Sequence, residues 1–161
     1  MLLLPGDVVA VHGDSVIDVG IEVVTDSPFC HTAMVESPSL QRGVEAQGFR
    51  TVGYVDLARY RGKSVILRDT ELSDAQRQQL VDFVKSKFGA RYDYTSIAKE
   101  FARYEFHDAV DANEHGRYNC STIIAAAYLS IGVALVDVAK IPLASPDDLY
   151  RSPRFILAGR F

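Results

Sequence analysis

The sequence predicts an α+β fold. Short β-branched runs bounded by turn residues alternate with apolar helical stretches that open on capping signals, and the hydrophobic content suffices for one core. At 161 residues, 48% hydrophobic and 24% charged, the chain has the size of a single domain, and no linker, repeat or low-complexity stretch divides residues 1–161. Asp7 to His12 reads as the first strand. Val16 to Val24 fits a period of two (Ile17, Val19, Ile21, Val23) and helical spacing (Ile17, Gly20, Ile21, Val24) alike. After the Ser27-Pro28 turn signal, His31 to Glu36 alternates as a strand, and Gly43 to Gly48 forms the second arm of an antiparallel hairpin. Thr51 to Val55 and Ser64 to Arg68 are further strands of the same sheet, separated by a helical turn around Leu57 to Tyr60.

Ser73-Asp74-Ala75-Gln76 is a capping box, and the helix it opens has an inner stripe of Leu80, Val81, Val84 and Phe88, stopped by Gly89. A second helix is expected from Tyr94 to about Phe106. Asn119 is a good N-cap for an apolar helix carrying Ile123, Ile124, Ala127, Tyr128 and Ile131, with Gly132 as terminator. Ser145-Pro146-Asp147-Asp148 starts a last short helix, and Phe155 to Ala158 returns as an edge strand.

Composition narrows the function classes. A formal charge of −4 without a basic stripe argues against nucleic-acid binding. No run of ~20 apolar residues spans a membrane. Met1-Leu2-Leu3-Leu4 meets Pro5 with no basic segment or useful apolar run before it, so a cytoplasmic location is expected. Two cysteines without Cys-x-x-Cys spacing exclude a disulfide framework and the common zinc fingers.

Cys120 stands at the first turn of its helix, where backbone N–H groups and the positive end of the macrodipole lower a thiol pKa. On that run alone an inert core thiol fits slightly better than a nucleophile, because free cysteine is among the most buried residue types. Chemistry requires a base and an orienter. His31 opens its strand, and a turn centred near Pro38 puts Glu45 directly opposite it on one face, with Glu36 on the other. A carboxylate against one imidazole nitrogen leaves the second to take the thiol proton. Glu45 then orients, His31 is the base and Cys120 attacks. Cys30, next to His31, is expected to be a buried thiol without a disulfide to Cys120.

The order Pro5-Gly6-Asp7-Val8-Val9, Ser27-Pro28-Phe29-Cys30-His31-Thr32, Val44-Glu45-Ala46, Gly89-Ala90-Arg91-Tyr92-Asp93 and Tyr118-Asn119-Cys120-Ser121 resembles the permuted papain-like amidases of the YiiX-like group, circularly permuted relatives of the NlpC cell-wall peptidases. The resemblance implies a permuted papain-like fold, an antiparallel sheet or partial barrel packed against helices, and favours helix for Val16 to Val24. It implies Cys120 as nucleophile, His31 as general base and Glu45 as orienting acid. Tyr92 and Ser121 become expected substrate or oxyanion contacts. The implied activity is hydrolysis of an amide through an acyl-enzyme on Cys120. The substrate would be a small peptide, an amino-acid amide, or a peptidoglycan-derived or N-acyl compound, with no cofactor. The related lecithin:retinol acyltransferase group also carries an Asn-Cys dipeptide, like Asn119-Cys120, and suggests acyl transfer as an alternative. A binding module that has lost turnover is a third.

A rival chemistry lies in His107, Asp111 and His115, which share one face if that segment is helical and could then hold a divalent metal. Asn113 to Gly116 has loop character, which would scatter those ligands. His115 is also a rival base, being near Cys120 in sequence. His12 has no evident partner.

Overall fold

In a computed structural model that describes residues 2–13, 28–46, 51–92 and 117–161, the β-branched runs become strands. These are β1 (Val8–Val11), β2 (His31–Ser37), β3 (Arg42–Ala46), β4 (Val52–Asp56), β5 (Ser64–Arg68) and β8 (Ile156–Arg160). They form one antiparallel sheet of order β4-β3-β2-β1-β5-β8. β6 (Arg91–Tyr92) and β7 (Arg117–Tyr118) form a separate parallel pair. The helices are α1 (Asp74–Lys85), α2 (Cys120–Ser130) and α3 (Pro146–Tyr150), with 3-10 turns at Leu57–Tyr60 and Val138–Leu143. The predicted α+β class is borne out. Val16 to Val24 and Tyr94 to Phe106 lie outside the described residues.

Both faces of the sheet are covered, which explains why β1 is apolar throughout rather than alternating. Val8, Ala10, Met34, Val44 and Leu67 pack with Leu80, Val81 and Val84 of α1 and with Ile123, Ile124, Ala127 and Tyr128 of α2. Val9, Val11, Ala33, Val35 and Ile66 form a smaller core with Leu57, Tyr60 and Leu3. The first core clamps α2 across the sheet. No helix among the described residues is long and apolar enough to cross a membrane.

The capping box at Ser73 forms as predicted, with Ser73 Oγ accepting from Gln76 N and Gln76 Oε1 accepting from Ser73 N. The inner stripe stops earlier than the sequence suggested. α1 ends at Lys85, so Phe88 falls in the turn leading to Gly89 (φ +82°) and is 39% exposed. Its ring meets Tyr54 edge-on, with centroids 4.8 Å apart. β8 starts and ends slightly later than expected and is an edge strand, with Ile156 and Leu157 exposed.

The β2–β3 hairpin sets the register of the site. Its turn closes through Gln41 N to Pro38 O, and Gln41 takes φ +48°. Just beyond, a Cβ on Gly43 would lie 2.6 Å from Leu57 Cδ2 and 3.0 Å from the Met34 carbonyl oxygen. Gly43→Ala should therefore cost about 1–3 kcal/mol by overpacking, read as a lowered urea midpoint. An unchanged midpoint would mean that Leu57 moves aside freely.

Candidate active site

Cys120 is the first residue of α2, and the local chemistry there is built by Asn119. Its Oδ1 accepts from Ser121 N (3.0 Å) and Thr122 N (2.7 Å), while Thr122 Oγ1 accepts from Asn119 N (2.9 Å). This reciprocal cap engages the Ser121 and Thr122 amides at the helix start. Among the described residues, the N–H of Cys120 itself has no acceptor. The Ser121 hydroxyl donates to the Ala144 carbonyl (2.6 Å), so both Ser121 donors are committed within the protein and tie α2 to the segment before α3.

His31, at the start of β2, is brought near Cys120 by the packing of α2 against that strand, close enough for each side chain to feel the other's charge. On its other side, His31 Nε2 lies 2.9 Å from Glu45 Oε2. The imidazole keeps 20% of its side-chain exposure, whereas Glu45 keeps 1%. The hairpin reaches this geometry differently from the expected direct pairing. Its turn is centred between Ser39 and Leu40 rather than at Pro38, and Val44 faces Met34. Glu45 therefore stands opposite Ala33, two residues along from His31, and parity keeps both side chains on one face so that the bond forms diagonally. Glu36 turns the other way, accepting from Arg42 Nε (2.8 Å) and lying 3.4 Å from Lys85 Nζ.

Burial and neighbouring charge pull the two groups in opposite directions. Burial pushes the Cys120 thiol up, but the His31 charge and hydrogen bond, with help from the Thr32 backbone and hydroxyl, bring it below the ordinary thiol value. Burial likewise works against a charged His31, yet the Cys120 thiolate and the Glu45 carboxylate outweigh it and raise its pKa to about 10. The charged form of each partner therefore favours the charged form of the other.

Two participants were absent from the sequence reading. Tyr60 donates its hydroxyl to Glu45 Oε2 (2.7 Å), the oxygen that also binds His31, and its ring lies 5.8 Å from the imidazole. Thr32 is fully buried, and its hydroxyl has no conventional hydrogen-bond partner among the described residues, only the Cys120 sulfur nearby. The Leu57–Tyr60 turn was legible, but nothing local in sequence ties it to β3. Thr32 would have been assigned to the face opposite His31 by strand alternation.

The remaining residues fall as follows. The backbone of Tyr92 pairs with Tyr118, two residues before Cys120. Neither cysteine forms a disulfide; Cys120 is buried, but Cys30, expected to be buried, is only half-buried, its Sγ donating to the Val11 carbonyl (3.6 Å) at the strand end. His12 finds a partner after all, its Nδ1 lying 2.6 Å from the Pro28 oxygen. His107, Asp111 and His115 lie outside the described residues. A cavity of about 530 Å³ opens at the far end of β2, between Leu3, Pro38, Gln41, Arg61 and Phe161, away from His31.

With this geometry in view, the chain was compared with known proteins. No family model matches it, and no curated protein matches it. The crystal structure of metalloprotein yiiX from Escherichia coli O157:H7 superposes with a TM-score of 0.75 at 18% identity, covering 100% of this chain and 99% of that one. The chain shares the yiiX fold. At that identity the likeness concerns architecture alone.

The word metalloprotein belongs to yiiX, and the residues described here do not suit a metal. No group of three or more His, Cys, Asp or Glu among them could hold one. Within the site, the imidazole is already engaged by Glu45 on one side and Cys120 on the other, and Glu45 Oε2 accepts two donors. These donors and acceptors are thus committed to one another within the protein.

Proposed function

We propose that the protein is a cysteine-dependent hydrolase that cleaves an amide bond through an acyl-enzyme on Cys120. The observation that carries this reading is the chain of contacts from thiol to imidazole to buried carboxylate, assembled from a helix and two strands. Random packing rarely joins a thiol, an imidazole and a carboxylate in the order nucleophile, base, orienter.

Chemically, the Cys120 thiolate attacks the substrate carbonyl carbon, and the oxyanion so formed is met by the Cys120 N–H, which has no acceptor among the described residues. The His31 imidazolium gives its proton to the leaving nitrogen, the C–N bond breaks, and the acyl group stays on sulfur. Neutral His31 then takes a proton from water, whose oxygen attacks the thioester. The carboxylic product leaves and the thiolate–imidazolium pair returns. Glu45 keeps Nε2 as the donor side throughout, so the opposite nitrogen faces sulfur and substrate. The proposed substrates are small peptides, amino-acid amides or N-acyl compounds, with Tyr92 and Ser121 proposed to shape their site.

The test is alkylation followed by trapping. Because the Cys120 pKa is lowered, its thiolate is populated at lower pH than that of an ordinary thiol. Iodoacetamide at pH 6–7 should label Cys120 well before Cys30, and His31→Ala should remove the preference. Activated amides and esters should leave an acyl adduct on Cys120, seen as added mass. Equal labelling of the two cysteines with no adduct from any substrate would sink the proposal.

A further inference from the structure

We propose that Tyr60 is a positioning residue that tunes His31 through Glu45, its hydroxyl sharing the carboxylate oxygen and so restraining how tightly the imidazole holds its proton. This deepens the hydrolase reading and rests on it. Glu45 is 1% exposed, and Oε2 accepts from His31 Nε2 at 2.9 Å and from Tyr60 at 2.7 Å. Two donors on one oxygen compete for the same negative charge. Each hydrogen bond to the carboxylate spreads that charge and makes the group a weaker base toward the other donor.

Tyr60 is well placed to hold that bond. It ends a 3-10 turn capped by Asp56, whose side chain accepts from Ala58 N, and its ring is buried in the smaller core beside His31. Its carbonyl also accepts from Ser64 Oγ, pinning the turn to β5. Burial and the neighbouring Glu45 push the phenol far above its ordinary range, so the hydroxyl remains a donor at any working pH. The charged and titratable groups facing this pair among the described residues are His31 from β2, Cys120 from α2 and Arg59, whose guanidinium lies 5.4 Å from the Tyr60 ring centre.

The consequence is kinetic. An imidazolium that binds Glu45 too tightly gives up its proton to a leaving amine reluctantly, so a hydroxyl that draws off part of the carboxylate charge favours proton release. Removing it should do the opposite.

The experiment is a histidine NMR titration, which reads His31 whether or not a substrate is known. Relative to wild type, Tyr60→Phe should raise the His31 midpoint by about half a unit or more, from the share of one charged hydrogen bond. Placing 3-fluorotyrosine at position 60 keeps the ring and hydroxyl and strengthens the donor, so it should lower the midpoint. In a Glu45→Gln background, Tyr60→Phe should leave the midpoint unmoved, because the effect passes through the carboxylate. A midpoint unchanged in both single variants, shifts of the opposite sign, or a shift that survives in the Glu45→Gln background would overturn the assignment. If Tyr60→Phe fails to fold, the 3-fluorotyrosine shift decides alone. Failure of the hydrolase reading is seen separately, in equal alkylation of Cys120 and Cys30.

Discussion

Cys120→Ala should lower kcat/KM by about four to six orders of magnitude while leaving the protein folded. The size follows from the role: without the sulfur there is no acyl-enzyme, and the remaining catalysis comes only from binding and whatever donors meet the oxyanion. The fold should survive because the contacts that seat α2 come from Ile123, Ile124, Ala127 and Tyr128 and from the Asn119–Thr122 cap, none of which uses the thiol. His31 would still be held by Glu45. The measurement is turnover on whichever amide acylates the wild type, paired with circular dichroism and a melting curve. Turnover within tenfold of wild type would remove Cys120 from the reaction.

Glu45→Gln should lower kcat/KM by about two to four orders of magnitude, and Glu36→Gln should change it less than about twofold. A glutamine at position 45 can aim its NH₂ group at His31, favouring the wrong imidazole tautomer, and it removes the charge that supports the imidazolium. Glu36 accepts from Arg42 and lies near Lys85 on the other face, so its loss touches neither His31 nor Cys120. Steady-state kinetics on the two variants, with matched melting curves, reads the difference directly. Comparable losses at both positions would mean that the diagonal His31–Glu45 contact does not orient the imidazole.

Much of the architecture was legible because local chemistry acts over a few residues. Ser73 with Gln76, Asn119 ahead of an apolar run, and Ser145 ahead of Pro146 each announce a helix start, and each forms a reciprocal cap. The strands from Val8 to Val11 and from Ser64 to Arg68 follow from β-branched runs between turn residues. Phe88 shows where that reasoning fails. Helical spacing continued the stripe past Lys85, but the chain had already turned toward Gly89, and the ring found Tyr54 instead.

For the candidate site, residue types and strand parity were enough to name Cys120, His31 and Glu45 and to separate Glu45 from Glu36, because side chains alternate along a strand whatever the register. The register itself was a tertiary outcome. It depended on a turn centred past Pro38 and on a bulge between Val35 and Ser37, whose geometry no single residue announces. Tyr60 and Thr32 were beyond sequence reasoning for the same reason. A hydroxyl is a donor to anything within reach, and what lies within reach of a residue is set by which strands and helices pack around it. Residue chemistry determined what the site could do; packing between distant segments decided which atoms meet, since hydrogen bonds act over about 3 Å and the sequence separates these groups by tens of residues.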